Sequence, residues 1–246
     1  MNVTSSPTTE LRRGALGVGF IIFFVVSAAS PFSVLAGGFP IGIMLGNGAG
    51  TPSLILIVLA ILLVFSVGYT TMARHVTDAG GFYAFSTRGL GPILGGAVGG
   101  LALFAYNILQ IGLYGMFGGV AAGTLEAFFG LSLPWWLCSL LAMASISAFG
   151  YRKIDLSAKV LCFIVMAEYC VILILDIAIL SSGGAHGVDF ASFQAKSVLS
   201  GSPAIGLLFC FAAFIGFEAT TIYGEEAKNP RRDIPLATYA SILLIG

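Results

Sequence analysis

Charge is what this sequence has least of. Lys and Arg number 11 and Asp and Glu 11 among 246 residues, 9% together, where a water-soluble domain carries about a quarter. Hydrophobic residues make up 58% and mean hydropathy is +1.01, which excludes an ordinary soluble domain and indicates a membrane protein. Cysteine is also sparse: Cys138, Cys162, Cys170 and Cys210 all fall in apolar runs, without the paired spacing of a zinc site or a redox pair. The two histidines, His75 and His186, stand alone, so no metal site is expected. Gly-Lys-Ser/Thr is missing after the glycine clusters GNGAG and GGAVGG, which removes the phosphate-loop reading. Nothing resembles a Ser/His pair, an aspartate dyad or a His-rich cluster within membrane segments. The expectation is therefore neither an enzyme nor a cofactor protein, and no nucleic-acid partner.

What the chain has in quantity is long apolar runs. A spanning helix needs about 20 mostly apolar residues at 1.5 Å each to cross roughly 30 Å of hydrocarbon. Six complete runs qualify, at 14–35, 53–72, 93–123, 134–150, 156–179 and 203–223. The third is long enough to need tilt or an extension beyond the bilayer, and its Gly115, Gly119 and Gly123 offer a close-packing stripe. A seventh run starts near Ile234 and is cut off at YASILLIG, so the chain reads as a fragment of a longer protein. The stretch LRRGALGVGFIIFFVVSAAS has the outline of a cleavable signal peptide. Its apolar run continues through PFSVLAGG and five more follow, so an uncleaved first span is simpler. The division expected is a cytoplasmic tail at 1–13, five spans in 14–180, an extracellular loop at 181–201, and a sixth span, cytoplasmic loop and start of a seventh in 202–246.

Orientation follows from the basic residues. With the N-terminus inside, Arg12, Arg13, Arg74, Arg88, Arg152, Lys153, Lys159, Lys228, Arg231 and Arg232 all face the cytoplasm, and only Lys196 lies outside. The expected location is a multi-pass protein of the plasma membrane.

Two spans carry interruptions. In the first, SAASPFS places Pro31 near the middle, where it removes a backbone donor, with Ser27, Ser30 and Ser33 around it. In the sixth, FIGFEA sets Gly216 beside Glu218, and a charged residue at the bilayer centre costs roughly 2.5 to 3.5 kcal/mol on insertion scales. Such an acid normally faces the protein interior and has a role there. Spans one and six enter from opposite sides, as an inverted five-helix repeat requires. Two discontinuous helices meeting at the midplane offer N–H groups to an anion and free carbonyls to a cation, which suits a zwitterion such as an α-amino acid.

The stretch GFEATTIYGEEAKNPRRDIP, residues 216–235, resembles the sixth-helix signature of the amino acid/polyamine/organocation superfamily of permeases. TDAGGFYAFSTRGLG, residues 77–91, resembles that superfamily's loop between helices two and three. The resemblance implies an all-α integral membrane protein with a leucine-transporter-like inverted-repeat fold, truncated after about six complete helices and the start of a seventh. It implies secondary active transport of an amino acid or related amine by alternating access. Residues Ser27, Ala28, Ala29, Ser30 and Pro31 would hold the substrate carboxylate. Phe214, Ile215, Gly216 and Phe217 would hold its ammonium, and the third-span residues Tyr106, Asn107 and Gln110 would line the same cavity.

Departures from the superfamily pattern are also visible. The first break reads Ala28, Ala29, Ser30, Pro31 rather than a Gly-Ser-Gly type, and Glu168 stands where some proton-coupled relatives carry a lysine. Glu218 and Glu168 are the candidates for proton coupling or gating, because burial disfavours the charged form of a carboxyl group. Glu225, Glu226, Arg231 and Arg232 are placed to form ion pairs closing the inner side. A channel or a substrate sensor on the same fold, or a fragment that folds poorly alone, remain alternatives. The partners expected are a small molecule, the lipid bilayer and a coupling ion, with protons, sodium and exchange, and the oligomeric state, left open.

Overall fold

The computed structural model describes residues 14, 16–152, 154–183, 187 and 189–246, without the side chains of 152–160. The tail 1–13 with Arg12 and Arg13, and also Lys153 and His186, lie outside the described residues. Among those described, every regular element is helical, and one isolated backbone bridge joins Leu16 and Ala227.

Helices α1 (Val18–Ala29), α2 (Pro31–Ser33) and α3 (Phe39–Leu45), with π-helical Val34–Gly38 before the last, make the first candidate span, Val18–Leu45. It runs past the expected end at 35, because Pro40 sits in the first turn of α3, where its missing N–H costs little. Helix α4 (Thr51–Ala73) completes the span Gly48–Ala73. The segment 77–91, expected as a loop, contains helix α5 (Gly81–Leu90), which buries Ala84 and Phe85 against Tyr69. Helix α6 (Pro92–Phe129) has 38 residues, about 57 Å at 1.5 Å per residue, far more than the hydrocarbon needs.

Next come α7 (Trp135–Arg152), α8 (Ile154–Ser182), the short α9 (Ala195–Val198) and α10 (Pro203–Ala212). A 3₁₀ segment, Phe217–Glu225, follows, then α11 (Pro230–Ile245). Proline opens α6, α10 and α11, positions where the backbone N–H would be unpaired anyway. Among the described residues, Val18–Leu45, Gly48–Ala73, Pro92–Phe129, Leu161–Ser182 and Pro203–Glu225 are long and apolar enough to cross a membrane, and Trp135–Tyr151 is a shorter apolar helix.

Helix α4 is the hub of the packing. It meets both α10 and α11, while α1 packs on α11 and on the 3₁₀ segment. The helices α5 to α8 follow as neighbours in sequence order, and α8 returns to touch α2. One apolar cluster joins Ile21, Val25, Tyr69, Phe85 and Ile234; a second joins Val58, Cys210, Phe214 and Ile242. Lipid tails are as apolar as these side chains, so close packing and interhelical hydrogen bonds hold the bundle rather than hydrophobic expulsion. One such bond links Thr220 and Thr238 at 2.8 Å.

Helices α6 and α8 expose Leu103, Phe104, Ile111, Phe163 and Ile174, as lipid-facing surfaces do. The close approach expected at Gly115, Gly119 and Gly123 is instead made one register away. A Cβ on any of those three would meet open space, whereas Gly118 abuts Ser139 and the Trp135 carbonyl of α7.

Each end of the bundle is tied across long sequence distances. At one end, Leu16 N–H donates to the Glu226 carbonyl at 2.9 Å and Lys228 N–H to the Leu16 carbonyl at 3.0 Å. At the other, buried Asn47 donates to the Val198 carbonyl at 3.3 Å, its own carbonyl accepts from the Ser200 hydroxyl at 3.1 Å, and Ser202 N–H reaches the Gly46 carbonyl at 2.9 Å.

Candidate functional site

The first interruption is built by Pro31. Helix α1 stops at Ala29, Ser30 turns left-handed at φ 43°, and α2 restarts at Pro31. Pro31 occupies the place whose N–H would have met the Ser27 carbonyl, and it has none to give. The Ser27 hydroxyl donates back to the Phe23 carbonyl at 2.6 Å. The Ser30 and Ser33 hydroxyls lie 2.8 Å apart, and Ser30 reaches Glu168 Oε1 on α8 at 3.4 Å. Glu168 Oε2 and the Tyr169 hydroxyl are buried without a hydrogen-bond partner among the described residues, a costly arrangement in a low-dielectric setting.

The second interruption follows α10. Ala213 to Gly216 form a turn, Gly216 adopts φ 114°, and the 3₁₀ segment begins at Phe217. Glu218 folds back so that its Oε2 accepts the Gly216 N–H at 2.9 Å, which puts a carboxylate on the free donors of the segment's start. Its Oε1 accepts the Tyr106 hydroxyl of α6. The Tyr69 hydroxyl of α4 donates to the Glu218 carbonyl at 2.6 Å and lies 2.7 Å from Thr221 Oγ1.

The two interruptions touch. A Cβ on Gly216 would lie 3.1 Å from the Ala29 nitrogen and 3.4 Å from the Ala28 Cβ. Only glycine combines this approach with that backbone angle at little cost.

On the α6 side of the second interruption lies a cavity of about 330 Å³ lined by Tyr106, Phe214, Ile215, Phe217 and Glu218 together with Leu62, Phe82, Ala102, Ala105, Leu109 and Phe211. Asn107 and Gln110 are not among its lining residues, and the Asn107 amide donates to the Leu103 carbonyl of its own helix at 2.7 Å. Ser27 to Pro31 do not line it either: the Ser27 hydroxyl turns back along α1, the Ser30 hydroxyl lies toward Glu168, and Ala28 faces Gly216. Sequence reasoning missed Tyr69, Leu62 and Phe82, because nothing local distinguishes them within apolar surroundings. Among the described residues no group of three or more His, Cys, Asp or Glu could hold a metal ion.

The charged block after the 3₁₀ segment is arranged differently from the expectation. Glu225, Glu226, Arg231 and Arg232 form no ion pair with one another; Glu225 accepts the Ala79 N–H at 3.2 Å and Asp233 accepts the Asn229 N–H at 2.9 Å.

Comparison with known proteins gives consistent results. The family model described as amino acid permease matches residues 17–246. The chain is 31% identical to the L-methionine/branched-chain amino acid exporter YjeH of Escherichia coli (strain K12) over 196 residues, 79% of this chain and 44% of that protein. It is 24% identical to the low-affinity putrescine importer PlaP of the same organism, over all of this chain and 54% of that protein. It is 25% identical to the chloroplastic cationic amino acid transporter 9 of Arabidopsis thaliana, over 70% of this chain and 32% of that protein. The chain thus spans about a third to a half of the length of these relatives. No solved structure matches it. With the match covering nearly every residue, the chain belongs to the amino acid permease family.

Proposed function

We propose that the protein containing this chain is a secondary active transporter that moves an amino acid or a related amine across the membrane by alternating access. The observation that carries the reading is the contact at Gly216. Two interrupted spans, distant in sequence, meet where backbone groups are released from helical bonding. The names of the relatives, an amino acid exporter, a putrescine importer and a cationic amino acid transporter, support that substrate class.

In this reading the fold is leucine-transporter-like, with 14–180 as the first repeat and 202–246 opening the second. The N-terminus lies in the cytoplasm and the loop 181–201 outside. Substrate sits between Ser27 to Pro31 and Phe214 to Phe217, with Tyr106 on the wall; Asn107 and Gln110 contribute only after turning from their present positions. Glu218, held by Tyr106 and the Gly216 N–H, and Glu168, held by Ser30, respond to protons and gate the passage.

The test is uptake of labelled amino acids and amines by the full-length protein in proteoliposomes, with and without a pH gradient. Saturable uptake is expected, with weakened pH dependence in Glu218→Gln. Absence of saturable uptake of every compound would overturn the reading, and unchanged coupling in the variant would overturn the proton role alone.

A further inference from the structure

A second cavity, of about 520 Å³, opens at the end of the bundle where Leu16 is bridged to Ala227. It is lined by Thr77, just past α4, and by Lys228, Asn229, Pro230, Arg231 and Arg232. Among the described residues three cations border it and no carboxylate does. Of the acids nearby in sequence, Asp233 is buried on the Asn229 N–H, Glu225 accepts the Ala79 N–H and Asp78 the Gly80 N–H, while Glu226 is not among the lining residues. Neither Lys228 nor either arginine has an ion-pair partner among the described residues, and all three side chains are exposed.

The walls are held firmly. Lys228 N–H is fixed on the Leu16 carbonyl, and Arg232 N–H on the Asn229 carbonyl at 2.9 Å. The cavity lies between the end of the apolar span Pro203–Glu225 and the start of α11, where a helix of that length crossing a bilayer would leave the hydrocarbon for the level of the lipid phosphates. Two guanidinium forks and an ammonium match the oxygens of a phosphate, which guanidinium recognises in a bidentate way. The Thr77 hydroxyl and the Asn229 amide add neutral donors at the rim. A basic pocket among the ends of membrane helices is the arrangement that binds anionic head groups.

We propose that this cavity holds the phosphate of an anionic membrane lipid. The experiment reconstitutes the full-length protein with phosphatidylcholine alone or with added phosphatidylglycerol, then measures retained lipid by mass spectrometry and the unfolding temperature. Inorganic phosphate without lipid forms a separate arm.

Preferential retention of phosphatidylglycerol is expected, with a higher unfolding temperature. In the Lys228→Gln/Arg231→Gln/Arg232→Gln variant, affinity should fall by about two orders of magnitude, while Lys196→Gln leaves it unchanged. Equal retention of the two lipids, or equal retention by the triple variant, would overturn the proposal. Protection by inorganic phosphate as strong as that by lipid would reassign the site to free phosphate and overturn the lipid source. Should the triple variant not fold, the unmodified protein decides: retention must weaken as salt rises, and salt-independent retention counts against the site.

Discussion

At the scale of single residues, Glu218 joins a structural role to the proton-responsive role proposed above, and mutation can separate the two. Its carboxylate satisfies the Gly216 N–H and the Tyr106 hydroxyl together. In Glu218→Gln, the amide oxygen accepts the Gly216 N–H while the amide group donates to a reversed Tyr106, so the fold is kept. Glu218→Ala leaves the backbone donor unpaired, at about 1–3 kcal/mol. The expected result is a near-normal unfolding temperature for the glutamine variant and a clearly lowered one for alanine. Gly216 is the second decisive residue. A side chain there meets α1 at 3.1 Å from a φ of 114°, and Gly216→Val is expected to cost about 1–3 kcal/mol, read as a lower melting point in detergent. A tolerated valine would show that α1 can retreat from this contact.

At the scale of elements, the loop between α3 and α4 fastens the segment 191–202 through Asn47. The Asn47 side chain is 1% exposed and holds both the Val198 carbonyl and the Thr51 hydroxyl. Asn47→Ala is expected to loosen the chain around Val198, where the side-chain amide's hydrogen bond is lost while the backbone ties at Ser200 and Ser202 remain, seen as faster amide exchange there and unchanged exchange in α4. Uniform exchange across both regions would rule out a local tie. Much of the element pattern is legible in the sequence, because Pro92, Pro203 and Pro230 mark helix starts and Pro31 marks where α1 gives way. Helix α5 is hidden because Gly80 and Gly81 look like a turn, whereas Gly81 is where the helix begins. Within the candidate site, Glu218 is visible as a lone acid in an apolar run. Tyr69 is not, since its partner lies 149 residues away and only packing brings them together. The glycines of α6 show the same limit: spacing offers a stripe, but the partner helix chooses the register, at Gly118.

At the scale of the whole molecule, the proposed orientation puts Lys196 outside and Arg231 inside. Lys196→Cys should then react with a membrane-impermeant maleimide in intact cells, while Arg231→Cys should react only after permeabilisation, each compared with the unsubstituted protein. Labelling of Arg231→Cys alone in intact cells would invert the topology. The bridge between Leu16 and Ala227, and the packing of α1 on α11, also bear on biosynthesis. The two bridge residues are 211 positions apart, 227 minus 16. At roughly 5–20 residues per second, the ribosome needs about 10–40 s to deliver the partner. The first helix therefore enters the bilayer well before the helix that completes its packing exists. During that wait its Ser27 carbonyl, deprived of a donor by Pro31, and its small-residue face at Ala28 and Ala29 are open to any passing segment. An insertase or chaperone that shelters α1 until α11 emerges would be as much a part of this fold as any contact within it.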